Sequence, residues 1–194
     1  MKKMILTILA VSAVLFGTSF AMLETEIANV QEYHLQTMRT LLPGSENFTV
    51  IPYSGEDTNI TYIHEGETGY FIETVTRGYA DDITVFVGVN HDGKVTGILV
   101  EEAHETMGLG NRVLTDHVFL SQFLNKSGSF TVDTGSADAF SGATAAAEET
   151  GEEIGVDAIT GATVTSKAVV RCVNSAVAYV TGADAVSGAT TWGG

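Results

Sequence analysis

An uncharged segment at the N-terminus restricts the fold of this chain more than any other feature. The residues from Met4 to Leu23 carry no charged side chain, and Lys2 and Lys3 precede them. A helix of this length spans about 30 Å, which is the thickness of the hydrocarbon layer of a membrane. The segment therefore predicts a transmembrane anchor over residues 1–23, with Lys2 and Lys3 in the cytoplasm and the rest of the chain outside. We expect a single-pass protein of the cytoplasmic (inner) membrane.

A cleaved signal peptide is the alternative interpretation of the same segment. Ser19-Phe20-Ala21 fits a small-x-small cleavage site, and Met4 to Phe16 would then be the apolar core of the signal. Both interpretations export the folded part of the chain, and the sequence alone leaves both open.

The exported part is strongly acidic. All 24 Asp and Glu residues follow Leu23, against seven Lys and Arg residues, which leaves that part with a net charge of −17. Because nucleic-acid phosphates require a basic surface, we expect no nucleic-acid partner. The single cysteine, Cys172, excludes a disulfide within the chain and a Cys-ligated iron–sulfur cluster. None of the five histidines has helical ligand spacing to another, so we predict no metal site.

Composition and periodicity divide the chain after the anchor into three parts. Apolar residues recur at three- and four-residue steps in a predicted stalk helix, residues 24–44, which Pro43 and Gly44 end. A folded domain follows at residues 45–182 and includes an acidic insertion, rich in Gly and Ala, at residues 133–155. The small, Gly-rich residues 183–194 predict a flexible tail.

The folded domain combines strand and helix patterns. Alternating apolar residues from Ile83 to Val89 predict a strand, and Asn90 to Gly93 predict the turn of a hairpin that returns from Lys94 to Val100. Helices are predicted at Thr115 to Leu124 and at Ser166 to Val180, where four valines form an apolar stripe. We therefore predict an α+β fold, in which helices pack on a twisted, mainly antiparallel sheet.

A seven-residue motif, Asp-Ala-x-Ser/Thr-Gly-Ala-Thr, occurs three times in the chain. Its copies are Asp138 to Thr144, Asp157 to Thr163 and Asp184 to Thr190. The Gly-Ala pair before Thr leaves room for a large group to approach the backbone and the hydroxyl. Only the middle copy leads directly into a predicted helix, whose N-terminus would offer free N–H groups and a positive dipole end to an anion. A glycine turn before a capped helix is the structural alternative.

Two longer stretches resemble one known family. Val156 to Val180 closely resembles the covalent FMN-binding domain that the G subunit of the Rnf electron-transport complex shares with the C subunit of the sodium-translocating NADH:quinone reductase. Arg77 to Arg112 is similar to the same family in its order of Gly-Tyr pair, strand, Asp-Gly-Lys turn, strand and glycine-containing loop. The length of the chain favours the Rnf protein of these two.

The resemblance implies where FMN is attached. In the family, a flavin transferase joins the FMN phosphate to the last Thr of the motif through a phosphoester, and that residue is here Thr163. The resemblance also implies a recognition segment in the motif, formed by Asp157, Thr160, Gly161 and Ala162. The hydroxyls of Thr165 and Ser166 would lie near the phosphate. A loop that contains Glu105, Thr106, Gly108, Leu109 and Gly110 would lie against the flavin. Met107 in this loop stands where the family has Pro.

By the same resemblance, the chain is an electron-transfer subunit on the outer face of an ion-translocating ferredoxin:NAD oxidoreductase. It would act as a relay and not as the complete enzyme, and no side chain is predicted to be catalytic. The implied partners are the other subunits of the Rnf complex, the flavin transferase and the lipid bilayer. One alternative is a free-standing exported flavoprotein that passes electrons to an external acceptor, with FMN on Thr144 or Thr190 as well. Another is an exported, non-redox binding module in which the motif copies are turns.

Overall fold

The computed structural model describes residues 31–103, 115–133 and 153–182. The chain divides into two compact units, Met1–Met38 and Arg39–Gly194. Residues 31–38 of the first unit and 39–41 of the second are helical and are called α1. In the part of the chain that the structure describes, no helix has the length and apolar character needed to cross a membrane. The predicted anchor, residues 1–23, lies outside the described residues.

An antiparallel sheet forms the larger part of the second unit. Its strands, among the described residues, are β1 (Thr49–Ile51), β2 (Ile60–Glu65), β3 (Gly69–Arg77), β4 (Asp82–Asn90) and β5 (Val95–Ala103). They lie side by side in chain order, and each is antiparallel to the next. This arrangement confirms the prediction of an α+β fold with a mainly antiparallel sheet.

The hairpin of β4 and β5 follows the sequence pattern. Ile83, Val85, Val87 and Val89 are fully buried along one face of β4, as their alternation predicts. In the turn, Asn90 Oδ1 accepts hydrogen bonds from the N–H groups of Asp92, at 3.1 Å, and Lys94, at 2.8 Å. The predicted turn is therefore confirmed, and β5 extends to Ala103, three residues beyond the predicted Val100.

A second sheet, of two parallel strands, was not predicted from the sequence. β6 (Ser129–Asp133) pairs with β7 (Glu153–Asp157). Both ends of the predicted insertion, Asp133 and residues 153–155, thus belong to strands, while residues 134–152 lie outside the described residues. The strand β7 contains only two apolar residues, Ile154 and Val156, which is too few for an alternation to be recognised.

Two helices complete the described core: α2 (His117–Ser121) and α3 (Thr163–Thr181). α2 is shorter than predicted, but the side chains of Phe119 and Phe123 are both buried, as expected for one apolar face. α3 packs on β3, β4 and β6, and its stripe residues Val169, Val173 and Val177 are buried. This helix begins at Thr163 and not at the predicted Ser166, so the motif threonine lies inside the helix.

Candidate functional site

The middle copy of the motif connects the second sheet to the longest described helix. It starts at Asp157, the last residue of β7, and ends at Thr163, the first residue of α3. Between them, Ile159 to Ala162 form a tight turn in which the Ala162 N–H donates to the Ile159 carbonyl at 2.9 Å. We call residues 159–162 the attachment turn, after the attachment that the family resemblance implies for the next residue, Thr163. Gly161, its third residue, has a φ of 80°, in the left-handed region that favours glycine, so the turn geometry itself accounts for the glycine of the motif.

The start of α3 is suited to an anion. Thr163 is half-buried there, and the preceding Ala162 provides no side-chain hydrogen bond that caps the helix. The first backbone N–H groups of a helix have no partners within it and carry partial positive charge. The first turn contains no acidic residue, and the exposed Lys167 lies one turn further on the same helix face. A phosphate joined to the Thr163 hydroxyl would therefore meet a favourable electrostatic environment.

Ser166 stabilises the attachment turn from within. Its side chain is fully buried, and its hydroxyl donates to the Ala162 carbonyl at 3.0 Å. The same oxygen accepts from the Ile159 N–H at 3.3 Å. One hydroxyl therefore joins both ends of the turn to the first turn of α3. A phosphate contact of Ser166 stays a prediction, and the role that the geometry shows is support of the turn.

Gln122 is a residue that the sequence reasoning did not assign to the site. It is the C-cap residue of α2, and its side-chain Oε1 accepts from the Asp157 N–H at 2.8 Å. Its Nε2 donates to the Asp157 carbonyl at 3.2 Å. The first residue of the motif is thus held by a side chain 35 positions earlier in the chain. In the sequence, Gln122 belongs to a pattern with Phe119 and Phe123 that also fits the family resemblance, but this pattern does not indicate a contact with the motif.

The other predicted site residues fall into two groups. Within the motif, Thr160 is exposed and Ala162 is buried, and Thr165, two residues after the motif in α3, is buried as well. The predicted loop against the flavin, Glu105, Thr106, Gly108, Leu109 and Gly110, lies outside the described residues, as do Thr144 and Thr190 of the other two motif copies. The described part of the site is therefore the middle motif with its support from α2 and α3.

A groove of about 300 Å³ lies between β5 and α2. Its described lining is mostly apolar and includes Leu41, Ile98, Leu120 and Leu124. No residue of the middle motif belongs to this lining. The groove is therefore separate from the attachment turn.

The described residues offer neither a metal cluster nor a reactive thiol. No group of three or more His, Cys, Asp or Glu side chains among them is arranged to hold a metal ion. Cys172 is fully buried in the core, and burial raises the pKa of its thiol to about 11. This thiol is protonated at neutral pH, which makes it a packing residue in α3.

Comparison with known families and proteins relates this chain to FMN-binding domains and to the G subunits of ion-translocating complexes. The FMN-binding domain family matches residues 78–178 of this chain. The chain is 37% identical over 112 residues to the G subunit of the Na⁺-translocating ferredoxin:NAD⁺ oxidoreductase complex of Acetobacterium woodii, a match that covers 56% of this chain and 47% of that protein. It is 31% identical over 197 aligned positions to the G subunit of the ion-translocating oxidoreductase complex of Methanosarcina acetivorans, a match that covers 92% of this chain and 93% of that protein.

The coverage differs among these relatives. The chain spans about half the length of the Acetobacterium protein. It spans 70% of the G subunit of the proton-translocating ferredoxin:NAD⁺ oxidoreductase complex of Clostridium ljungdahlii, to which it is 31% identical over 75% of its own length. Among solved structures, NqrC of Shewanella oneidensis is similar with a TM-score of 0.45 and 18% identity, over 75% of this chain and 74% of that chain.

Proposed function

The chain belongs to the FMN-binding domain family, among the G subunits of ion-translocating oxidoreductase complexes, and on that basis we propose that it is a membrane-anchored electron-relay subunit with FMN attached covalently to Thr163. The observation that carries the proposal is the position of this threonine. It is the first residue of an uncapped helix, directly after a glycine turn, and no acidic residue lies in the first helical turn. These features favour a phosphate ester at the hydroxyl.

The described residues fit the phosphate end of FMN. The N–H groups at the start of α3 would hold the phosphate oxygens, and the exposed Lys167 would balance part of their charge. Ser166 and Gly161 keep the turn in the conformation that places Thr163 at the helix start. When bound, FMN supplies the redox chemistry at its isoalloxazine ring, while the protein supplies tethering and position.

The attachment is a phosphoryl transfer that needs an activated donor. The Thr163 oxygen forms a bond to the phosphorus of FMN, and the hydroxyl proton passes to a base or to water. The bond that breaks must have a good leaving group, as the pyrophosphate of flavin adenine dinucleotide has, from which adenosine monophosphate departs. A flavin transferase is the partner that would supply this donor.

The other proposed partners are suggested by the names of the relatives and by the single cysteine of the chain. The relatives are subunits of complexes that are named for ion translocation and, in two cases, for ferredoxin and NAD⁺. With one cysteine in its sequence, this chain holds no Cys-ligated iron–sulfur cluster. It would therefore relay electrons between other subunits of such a complex, on the outer face of the membrane, and would not be a complete enzyme.

Membrane anchoring belongs to the same proposal. Met4 to Leu23 would span the bilayer and hold the FMN domain outside, close to its partner subunits. The mature protein should then begin at or near Met1 and require detergent for extraction. A protein that begins at Met22 and is soluble after cell lysis would show that the segment is a cleaved signal peptide.

The replacement Thr163→Val tests the attachment, because it keeps the shape of the side chain and removes the hydroxyl. We expect intact-mass analysis of the full chain to lose the mass of FMN, and peptide mapping to find none on the segment from Val156 to Lys167. Thr181→Val is the matched control, since it makes the same change at the other end of α3 and should keep the flavin. FMN found only at Thr144 or Thr190 would assign the function to another motif copy. A wild-type protein without flavin, from cells that contain the transferase, would favour the non-redox binding module.

A further inference from the structure

The side-chain amide of Gln122 binds the backbone of Asp157 in the way that a neighbouring strand would. The Gln122 amide binds both the N–H and the carbonyl of Asp157, at 2.8 and 3.2 Å. The next residue, Ala158, donates its N–H to the Asp133 carbonyl of β6 at 3.0 Å. The end of β7 is therefore held from two sides, by β6 and by the side chain of Gln122.

Gln122 is itself firmly placed. Its neighbours Phe119 and Phe123 are 2% and 0% exposed, and their rings pack edge to face with centroids 5.5 Å apart. Phe123 also packs on Phe130 of β6, with ring centroids 5.1 Å apart. At the other end of α2, Asp116 Oδ1 accepts from the N–H groups of Val118 and Phe119. A side chain that projects from such a fixed helix can hold a neighbouring segment in one conformation.

We propose that Gln122 is a positioning residue for the covalent attachment of FMN at Thr163, an inference that rests on the proposed function. Asp157 is the first residue of the motif, and the attachment turn follows it by two positions. By holding Asp157, Gln122 fixes the point from which the turn departs, while Ser166 holds the turn itself. The transferase then meets the Thr163 hydroxyl in a single, preorganised position, which lowers the entropy cost of the transfer.

If Gln122 only stabilised the sheet, removal of its amide would have the same effect as removal of a similar amide elsewhere in the sheet. Asn174 provides that comparison. Asn174 of α3 makes the same pair of amide contacts with Phe130 of β6, at 2.8 and 2.9 Å. Phe130 is on the other strand of the sheet and is not part of the motif. Removal of either amide should therefore destabilise the sheet, but only removal of the Gln122 amide should release the attachment turn.

The experiment compares three variants of the full-length chain, purified in detergent from cells without the transferase. Gln122→Met and Asn174→Leu remove each amide and keep the approximate shape. Gln122→Glu keeps the acceptor for the Asp157 N–H and loses the donor. Each protein is incubated with a flavin transferase and flavin adenine dinucleotide, and intact mass gives the initial rate of FMN addition. Amide hydrogen exchange of residues 156–162 is measured on the same proteins before the incubation.

We expect the initial rate to fall about tenfold in Gln122→Met, which corresponds to about 1.4 kcal/mol. Gln122→Glu should also be slower than wild type, because its carboxylate has no proton to donate to the Asp157 carbonyl. Asn174→Leu should stay within about twofold of the wild-type rate. Hydrogen exchange of residues 156–162 should accelerate in Gln122→Met and not in Asn174→Leu. Unchanged exchange and rate in Gln122→Met, or an equal loss in Asn174→Leu, would overturn the inference.

The two proposals fail in different ways. If wild-type protein gains no FMN on the segment from Val156 to Lys167, the proposed function is wrong. In that case the hydrogen-exchange comparison still decides whether Gln122 holds the turn. If wild-type protein gains FMN on that segment and Gln122→Met gains it at the same rate, the proposed function stands and the role of Gln122 is refuted.

Discussion

The side-chain amide of Asn174 binds both backbone polar groups of Phe130: Oδ1 accepts from the N–H at 2.8 Å, and Nδ2 donates to the carbonyl at 2.9 Å. Gln122 makes the same pair with Asp157 on the neighbouring strand. Backbone groups at the edges of a sheet need partners, and an isolated pair of strands is only marginally stable. Two amides, one from α3 and one from the C-cap residue of α2, thus stabilise the small parallel sheet that leads into the motif.

Replacement of Asn174 by Leu should lower the stability of the protein. The N–H and carbonyl of Phe130 would lose their partners in a half-buried position, which costs about 1–3 kcal/mol in the free energy of unfolding. Urea unfolding, followed by circular dichroism, measures this difference. Asn174→Asp keeps the acceptor but places a carboxylate oxygen against the Phe130 carbonyl, so it should be less stable than wild type as well. Equal stability of all three proteins would show that the amide contributes nothing to the sheet.

The sequence predicted the antiparallel part of the fold and missed the parallel part, for a physical reason. The strands and the turn around Asn90 are formed by neighbours in the chain, so local patterns report them. β6 and β7 pair across the predicted insertion, and their edges depend on Gln122 and Asn174, which lie in other elements. Contacts between residues so distant in sequence leave no periodic signal.

The motif identified the candidate site, but its supporting contacts emerged only from the structure. The sequence pattern predicts a helix that starts at Ser166, whereas α3 begins at Thr163 with Ala162 as its uncapped N-cap. No capping residue marks this start in the sequence. The burial of Ser166 and its contacts with Ile159 and Ala162 likewise depend on how α3 meets the turn.

Gly161→Ala should disturb the attachment turn. Gly161 has a φ of 80°, and the left-handed region costs an L-residue about 1–2 kcal/mol. We expect a lower free energy of unfolding by about this amount and slower FMN attachment at Thr163, measured by urea unfolding and intact mass. Gly155→Ala is the matched control, because a Cβ at Gly155 would meet no atom within 4 Å. The interpretation of the turn is wrong if both variants take up FMN at the wild-type rate.

Ser166→Ala should show whether Ser166 supports the attachment turn or only contributes to the stability of the protein. The change removes the acceptor of the part-buried Ile159 N–H, at a cost of about 1–3 kcal/mol. Ser175→Ala removes another buried hydroxyl of α3, which accepts from Asn59 Nδ2 at 3.1 Å. Both variants should unfold at lower urea concentration, and only Ser166→Ala should slow FMN attachment. Equal attachment rates in the two variants would contradict the role of Ser166 in the turn.

The lowered pKa of Glu67 predicts how the stability of the protein changes in acid. Its carboxylate, in the turn between β2 and β3, accepts from Asn47 Nδ2 at 2.8 Å and from the N–H groups of Glu46 and Asn47. The side-chain hydrogen bond of Asn47 is the main cause that lowers the pKa of Glu67 from 4.5 to about 2. A carboxyl whose pKa is lowered by folding stabilises the folded state above its unfolded pKa. This contribution should be complete above pH 4.5 and should disappear as the pH falls from 4.5 to about 2.

Glu67→Gln tests this pH dependence, because the neutral amide cannot titrate. Above pH 4.5 the wild type should have a higher melting temperature than the variant, and the difference should shrink as the pH falls toward about 2. Other carboxyl groups titrate in the same range, so the measured quantity is the difference between the two proteins at each pH. Glu56→Gln, which removes an exposed carboxylate outside this turn, is the control and should track the wild type. A difference between wild type and Glu67→Gln that does not change with pH would show that the charge of Glu67 does not hold residues 46 and 47 against the turn.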